Sequence, residues 1–314
     1  MSVERVATNA QSQLLLSQIA QAEQAMTKSQ EQVASGKVSS DYAGIGSKTS
    51  ALEAARASAA RATAYQAATS AASNQVDLQD TELTQLSSVA QQLQQALTTA
   101  VGNNDATGLM QQVQSIFDQA SQILNAKDAN GNYLFGGDKD NTPPFNVTSL
   151  TQLADLSNVS DAFSNGTQKK SVNVADGQSV QIGVLASDIG TQLMQTLKDI
   201  QTFSTGSTGN FSTTLTGAQS TFLTSEIQVA QQAATGLNTA TAANGYVSNQ
   251  LSDASDQQQA LSTLYQGFVS NIEDVDMGTA VTQLNENQTA LQAALQVTAQ
   301  LGQISLLNYL PASG

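Results

Sequence analysis

Residues 277–301 read MGTAVTQLNENQTALQAALQVTAQL. Met277, Leu284, Leu291 and Thr298 recur every seven residues, and Ala280, Ala294 and Leu301 occupy the complementary positions of the same stripe. A seven-residue apolar repeat predicts an α-helix with a thin seam shaped for another helix. Asn287 is the polar exception in that seam, a residue type that can fix register. The opposite end of the chain carries a similar stripe. Leu15, Ile19, Ala22, Met26 and Val33 fall at spacings of three, four or seven and share one face. Each stripe is too narrow to make a stable free helix in water. Both need partners. The other end of the same chain is the nearest and an identical neighbouring molecule the next. An ordinary intramolecular helix pair would satisfy the same pattern.

The only prolines of the chain are Pro143, Pro144 and Pro311, so long stretches are free of the strongest helix breaker. Ser35-Gly36 interrupts the first helix, and Ser39, Ser40 and Asp41 offer capping side chains for the next. Residues 45–100 are rich in Ala and Gln, with Leu83, Leu86, Ala90, Leu93 and Leu97 at helical spacing. After the turn residues 101–104, Leu109, Val113, Ile116, Ala120 and Leu124 mark a third helix. From about residue 128 to 215, Asn-Gly, Gly-Gly, Pro-Pro and Asp-Gly pairs punctuate turns. Val172 and Val174, then Asp176-Gly177, then Val180, Ile182 and Val184 predict a β-hairpin. A short helix is expected near 188–200, and helix resumes after about 217.

The predicted fold is mainly α: long terminal helices in a coiled coil or helical bundle, with a small β-rich central insert. The expected divisions are 1–40 with 270–314 as the terminal coiled-coil region, 41–130 with 215–269 as a helical bundle, and 131–214 as the insert.

Composition narrows the function. Lys plus Arg number 11 against 25 Asp plus Glu, a formal charge of −14, which repels nucleic-acid phosphates. The charge is uneven. Residues 1–62 hold six basic and five acidic side chains, whereas no Lys or Arg follows Lys198 and eight acids do. The two ends therefore suit each other electrostatically. No run of about 18 apolar residues suggests a membrane span, and no Sec-type signal peptide is visible at the N-terminus. Cys and His are both absent, which excludes Ser-His and Cys-His nucleophiles and His or Cys zinc sites. Residues 44–49 resemble a phosphate loop only faintly, because Gly and Lys are out of register. Asp128, Asn130 and Asn132 copy a calcium loop, but Tyr133 stands where its glycine is needed and Lys139 where its glutamate is needed. Glu273, Asp274 and Asp276 are expected to solvate a helix face or to meet basic side chains near the other terminus. No catalytic, cofactor or metal site is expected.

Residues 34–44, ASGKVSSDYAG, together with Thr8-Asn9 and the helix between, resemble the N-terminal signature of bacterial flagellins and their relatives. Residues 270–277, SNIEDVDM, before a heptad helix, resemble the C-terminal one. The match departs in carrying Lys37 and a single Asp41 where the signature often has Arg and paired acids. Residues 130–137, NGNYLFGG, with Pro144-Phe145 after them and the ending Ser305-Leu306-Leu307-Asn308-Tyr309-Leu310, are most similar to the hook-associated members that join hook to filament. The resemblance implies a structural subunit with no enzymatic activity, lying outside the cell in the flagellum and exported unfolded without a cleaved signal. It implies terminal helices that pack only on assembly and a central domain that points outward. The implied partners are further copies of the chain, a neighbouring hook-associated protein, flagellin and an export chaperone, with no nucleic acid and no membrane insertion. The candidate seam is Leu15, Ile19, Ala22, Met26, Val33, Met277, Ala280, Leu284, Leu291, Ala294 and Leu301. Leu306, Leu307, Tyr309 and Leu310 are a candidate apolar contact tail. A filament-forming flagellin, or a flagellin-like surface protein whose insert binds a glycan or receptor, are the alternative readings.

Overall fold

Where proline is missing, the chain forms long helices. The computed structural model describes residues 2–207 and 209–307, with side chains at 10–207 and 209–300. In chain order the elements are α1 (Ser2–Ser35), α2 (Tyr42–Ile45), a 3-10 turn (Gly46–Lys48), α3 (Thr49–Asn103), α4 (Leu109–Leu124) and α5 (Leu150–Asp155). A second 3-10 turn (Val159–Ala162), β1 (Lys170–Ala175), β2 (Gln178–Ile182), α6 (Ala186–Thr205), α7 (Gly217–Glu273) and α8 (Met277–Leu307) follow. The fold is mainly α with one small antiparallel sheet. Two compact units divide it: Met1–Arg61 with Leu261–Gly314, and Ala62–Ala260. Helices α3 and α7 each contribute to both.

In the 62–260 unit, Leu83, Leu86, Ala90, Leu93 and Leu97 of α3 are fully buried, and Val113, Ile116, Ala120 and Leu124 of α4 join them. Burying each such Leu contributes about 1.5–3 kcal/mol against leaving it in water. Leu193, Leu197 and Ile200 of α6 and Leu223, Ala230 and Leu237 of α7 belong to the same core. The segment between α4 and α5 reaches that core at a single antiparallel bridge, where residues 144–146 pair with 162–164 on one edge and a side chain covers the other. Phe145 packs edge-on to Phe117 and Phe163, with ring centroids 6.1 and 5.3 Å apart. The Asn125 amide pairs with both backbone groups of Phe145, donating to its carbonyl at 2.8 Å and accepting from its N–H at 3.0 Å. A side chain thus stands in for a strand neighbour.

The same logic accounts for residues 130–137. Leu134 and Phe135 are buried, and the Leu134 N–H donates to Ala126 O at 2.9 Å. A Cβ on Gly136 would lie 2.7 Å from Lys139 O. Gly137 has φ +65°, and its Cβ would lie 2.6 Å from Leu185 Cδ2, so the glycine pair is required by packing.

The hairpin turns at Asp176-Gly177, with Gly177 at φ +71°, and carries a bulge between Asn173 and Ala175. Val174 and Ile182 cover a second, smaller core with Ala72, Val76 and Leu251. The Tyr65 hydroxyl donates to Asp176 Oδ1 at 2.7 Å and holds the tip.

Candidate assembly interface

The 1–61 with 261–314 unit is built on α1 and α8. They run antiparallel: the backbone at Lys37 pairs with the backbone at Asp274 just beyond their adjoining ends, and further along Asn287 meets Ser29. On α8, Ala280 is buried, and Leu284, Asn287, Leu291, Ala294 and Thr298 are half-buried at alternating spacings of four and three. On α1, Leu15, Ile19, Ala22, Met26 and Val33 are half-buried, and Ser29, in the position between Met26 and Val33, is 3% exposed. Both helices thus present one heptad seam.

Of the other candidate residues, Met277 lies on the first turn of α8 and is 45% exposed. Leu301, Leu306 and Leu307 belong to α8, with side chains outside the described residues. Tyr309 and Leu310 lie outside the described residues altogether.

Within the seam one polar pair joins the two helices among the described residues. Asn287 Nδ2 donates to Ser29 Oγ at 2.8 Å and to Ala25 O at 3.3 Å. An apolar pair there would pack in several registers, whereas this pair is satisfied in one. Replacing both, Ser29→Ala with Asn287→Leu, is expected to raise unfolding stability of the helix pair by about 1 kcal/mol while loosening its register. Spin labels on the exposed Gln24 and Gln292, read by pulsed electron resonance, report the second effect as a broadened distance distribution.

The outer flanks of the pair are unusual. Leu14 and Leu16 on α1 are 60% and 63% exposed, and Val281, Leu295 and Val297 on α8 are 42–48% exposed. Leu16, Val281, Leu295 and Val297 adjoin the seam at heptad positions where two-stranded coiled coils in water carry charges. Over 277–300 the only charged side chain is Glu286.

An ionic clasp closes the junction of the pair. Val38 N–H donates to Glu273 O at 2.7 Å and Val275 N–H to Gly36 O at 2.9 Å, so two short segments pair backbone to backbone. The Glu273 side chain, 9% exposed, accepts from Lys37 Nζ through Oε1 and from Arg56 Nη2 through Oε2 at 2.8 Å. Arg56 Nη1 also lies 3.2 Å from the Tyr42 hydroxyl, which donates to Glu53 Oε1 at 2.6 Å. Lys37 first, and Arg56 after it, hold the Glu273 carboxyl below the usual glutamate range. Asp276 caps α8 by accepting from Thr279 N–H at 2.7 Å. The expected meeting of this acidic cluster with basic side chains of the first sixty residues is therefore found at Glu273. The Asp128 carboxylate is taken up by its own turn, accepting from Asn130 N–H and Asn132 N–H at 2.9 Å each.

The sequence reading missed Ser29 and did not single out the exposed flank. Asn287 was the available signal for the first, since a buried amide demands a polar partner.

Residues 6–140 match the family model of the bacterial flagellin N-terminal helical region, and residues 227–310 match that of the bacterial flagellin C-terminal helical region. The chain belongs to the bacterial flagellin family. Its fold is shared by solved relatives. One is a Vibrio parahaemolyticus protein described as a flagellar hook-associated protein. It is 15% identical, with a TM-score of 0.59 over 74% of this chain and 99% of that one. Another is FlgL of Bacillus cereus, 18% identical, with a TM-score of 0.51 over 68% of this chain and 98% of that one. No curated protein matches this flagellin-family chain in sequence. Among its described residues no helix is long and apolar enough to cross a membrane.

Proposed function

We propose that this chain is a structural subunit of the bacterial flagellum that joins hook to filament by packing its paired terminal helices against those of neighbouring copies. The observation that carries the reading is the uncovered apolar flank of Leu14, Leu16, Val281, Leu295 and Val297 on a helix pair nearly devoid of charge on α8. Such a surface costs little to desolvate and gains about 25 cal/mol per Å² of apolar area when covered by a copy of itself. The assignment to the junction draws on the 130–137 motif and on the likeness in fold to the hook-associated protein of Vibrio parahaemolyticus. On this reading the chain acts outside the cell and is exported without a cleaved signal. Its partners are further copies, an adjoining hook-associated protein, flagellin and an export chaperone. It performs no catalysis.

Immunogold labelling of intact flagella tests the place. Label confined to one narrow zone at the base of the filament, with filaments lost and flagellin shed when the gene is deleted, is the expected result. Label along the whole tube would make the chain a filament flagellin instead.

A further inference from the structure

Helices α6 and α7 flank the 206–216 loop, and their facing sides change character over one turn. Next to the loop, Phe203 stacks on Phe222 with ring centroids 4.0 Å apart and planes at 6°, and Phe211 of the loop stacks on Phe203 at 5.7 Å. One turn further from the loop on each helix stands an acid: Asp199 on α6 and Glu226 on α7. Glu226 is 7% exposed, and its Oε2 is buried with no hydrogen-bond partner. Burial without a donor penalises the charged form, and a second acid across the contact penalises it further.

The nearest candidate counter-charge in sequence is committed elsewhere. Lys198 Nζ donates to the carbonyls of Ala154 at 3.0 Å and of Leu156, and reaches that of Leu153 at 3.5 Å, at the end of α5. Asp199 Oδ1 accepts from Gln195 Nε2 at 2.8 Å, within α6. Asp199 is the charged group that acts on Glu226, and it acts with the same sign.

We propose that Glu226 is a proton-operated latch on the α6–α7 contact. Protonated, it seats in the core beneath the phenylalanine stack; ionised beside Asp199, it is driven toward water and loosens the first turns of α7 together with the 206–216 loop. Burial, and Asp199 after it, push the Glu226 carboxyl up to about 7. The folded chain therefore keeps this proton where the unfolded chain has lost it. Stability from this group is present in full below the ordinary glutamate value and is lost as pH rises through about 7. The 62–260 unit is thus tighter on the acid side of neutrality, whatever partners the terminal helices take.

Limited proteolysis and amide exchange of the full chain, across a pH series, test this with Glu226→Gln and Asp199→Asn. Glu226→Gln keeps the shape and cannot ionise. It is expected to slow cleavage in the 205–217 segment by roughly ten- to a hundredfold at about pH 8 and to leave it unchanged at about pH 4. Asp199→Asn should move the wild-type midpoint down without abolishing it. Carbon NMR of the Glu226 carboxyl gives the same midpoint independently of cleavage. A carboxyl titrating in the ordinary glutamate range, or a Glu226→Gln protein with the wild-type pH profile, would overturn the latch.

Discussion

In Leu291→Asp, the 62–260 unit is expected to remain folded while both α1–α8 pairing and assembly are lost. Leu291 is half-buried in the α8 seam, four residues beyond Asn287 at the next seam position. An ionised carboxylate there is drawn from water into a mostly apolar seam, at a cost of several kcal/mol. A pair of narrow-striped helices has little stability to set against that, since most helical stability in water comes from packing one face. The large core of the other unit contains no residue of α8, so its melting transition should be unmoved. Far-ultraviolet dichroism should fall by the share of α1 and α8, and negative-stain microscopy should show no polymer.

Leu295→Asp sharpens the experiment. Leu295 is 48% exposed on the outer flank, so an aspartate there stays solvated in the monomer and is buried only when copies meet. Leu295→Asp should keep the dichroism signal and lose assembly. Polymer formation by Leu291→Asp would sink the seam; polymer formation by Leu295→Asp would sink the flank as the contact between copies.

The contrast between these two leucines also marks what could be read beforehand. The heptad of Leu284, Leu291 and Thr298 is a local regularity, and the helix, its inward face and the need for a partner follow from spacing alone. Leu295 is equally apolar, but which side of a helix stays uncovered depends on what packs against it. Ser29 was hidden for a related reason: a serine in an apolar stripe reads as a break, and it becomes a seam residue only because Asn287, 258 positions away, faces it. The hairpin was legible because Asp176-Gly177 sits between alternating valines. Val184 nevertheless falls outside β2, since Gly183 at φ +93° turns the chain away after Ile182. The insert carries fewer strands than its turn-rich composition suggests. Phe145 and Val147 are buried as strand residues would be, yet Asn125 supplies the pairing for Phe145, and no local pattern announces a side chain doing a backbone's task. The acid–base asymmetry of the chain ends foretold attraction; that Glu273 would gather both Lys37 and Arg56 required the fold.

That gathering leads to the second large effect. Glu273→Gln should open the clasp at the α1–α8 junction, and acid should do the same to the wild-type protein. The carboxyl is nearly buried, whereas Lys37 and Arg56 are 47% and 38% exposed, so the acid is the member that depends on the pairing. With the charge removed, both cations can turn to solvent, and only the two backbone bonds hold residues 36–38 to 273–275. Cleavage between Gly36 and Lys48 by a protease is then expected to rise roughly tenfold in the full-length chain. Because its folded-state pKa is depressed, Glu273 contributes stability that is present above the ordinary glutamate value and fades as pH falls through the folded one. The acid-induced rise in cleavage should therefore begin below that ordinary value and be smaller in Glu273→Gln, which keeps only the part due to Asp41, the α2 cap that the Gly44 N–H holds below the usual aspartate range. The two cations share one acceptor, which predicts how they combine. Lys37→Met or Arg56→Met alone leaves Glu273 one partner and has a partial effect, while the double variant leaves a nearly buried carboxylate unpaired and should exceed Glu273→Gln at neutral pH and fall back to it in acid, where Glu273 is protonated. Salt weakens the wild-type clasp and should leave the double variant unchanged, since only the charged contact is screened. A double variant no more labile than Glu273→Gln at neutral pH would mean that pairing with Lys37 and Arg56 is not what keeps the Glu273 carboxylate inside the junction.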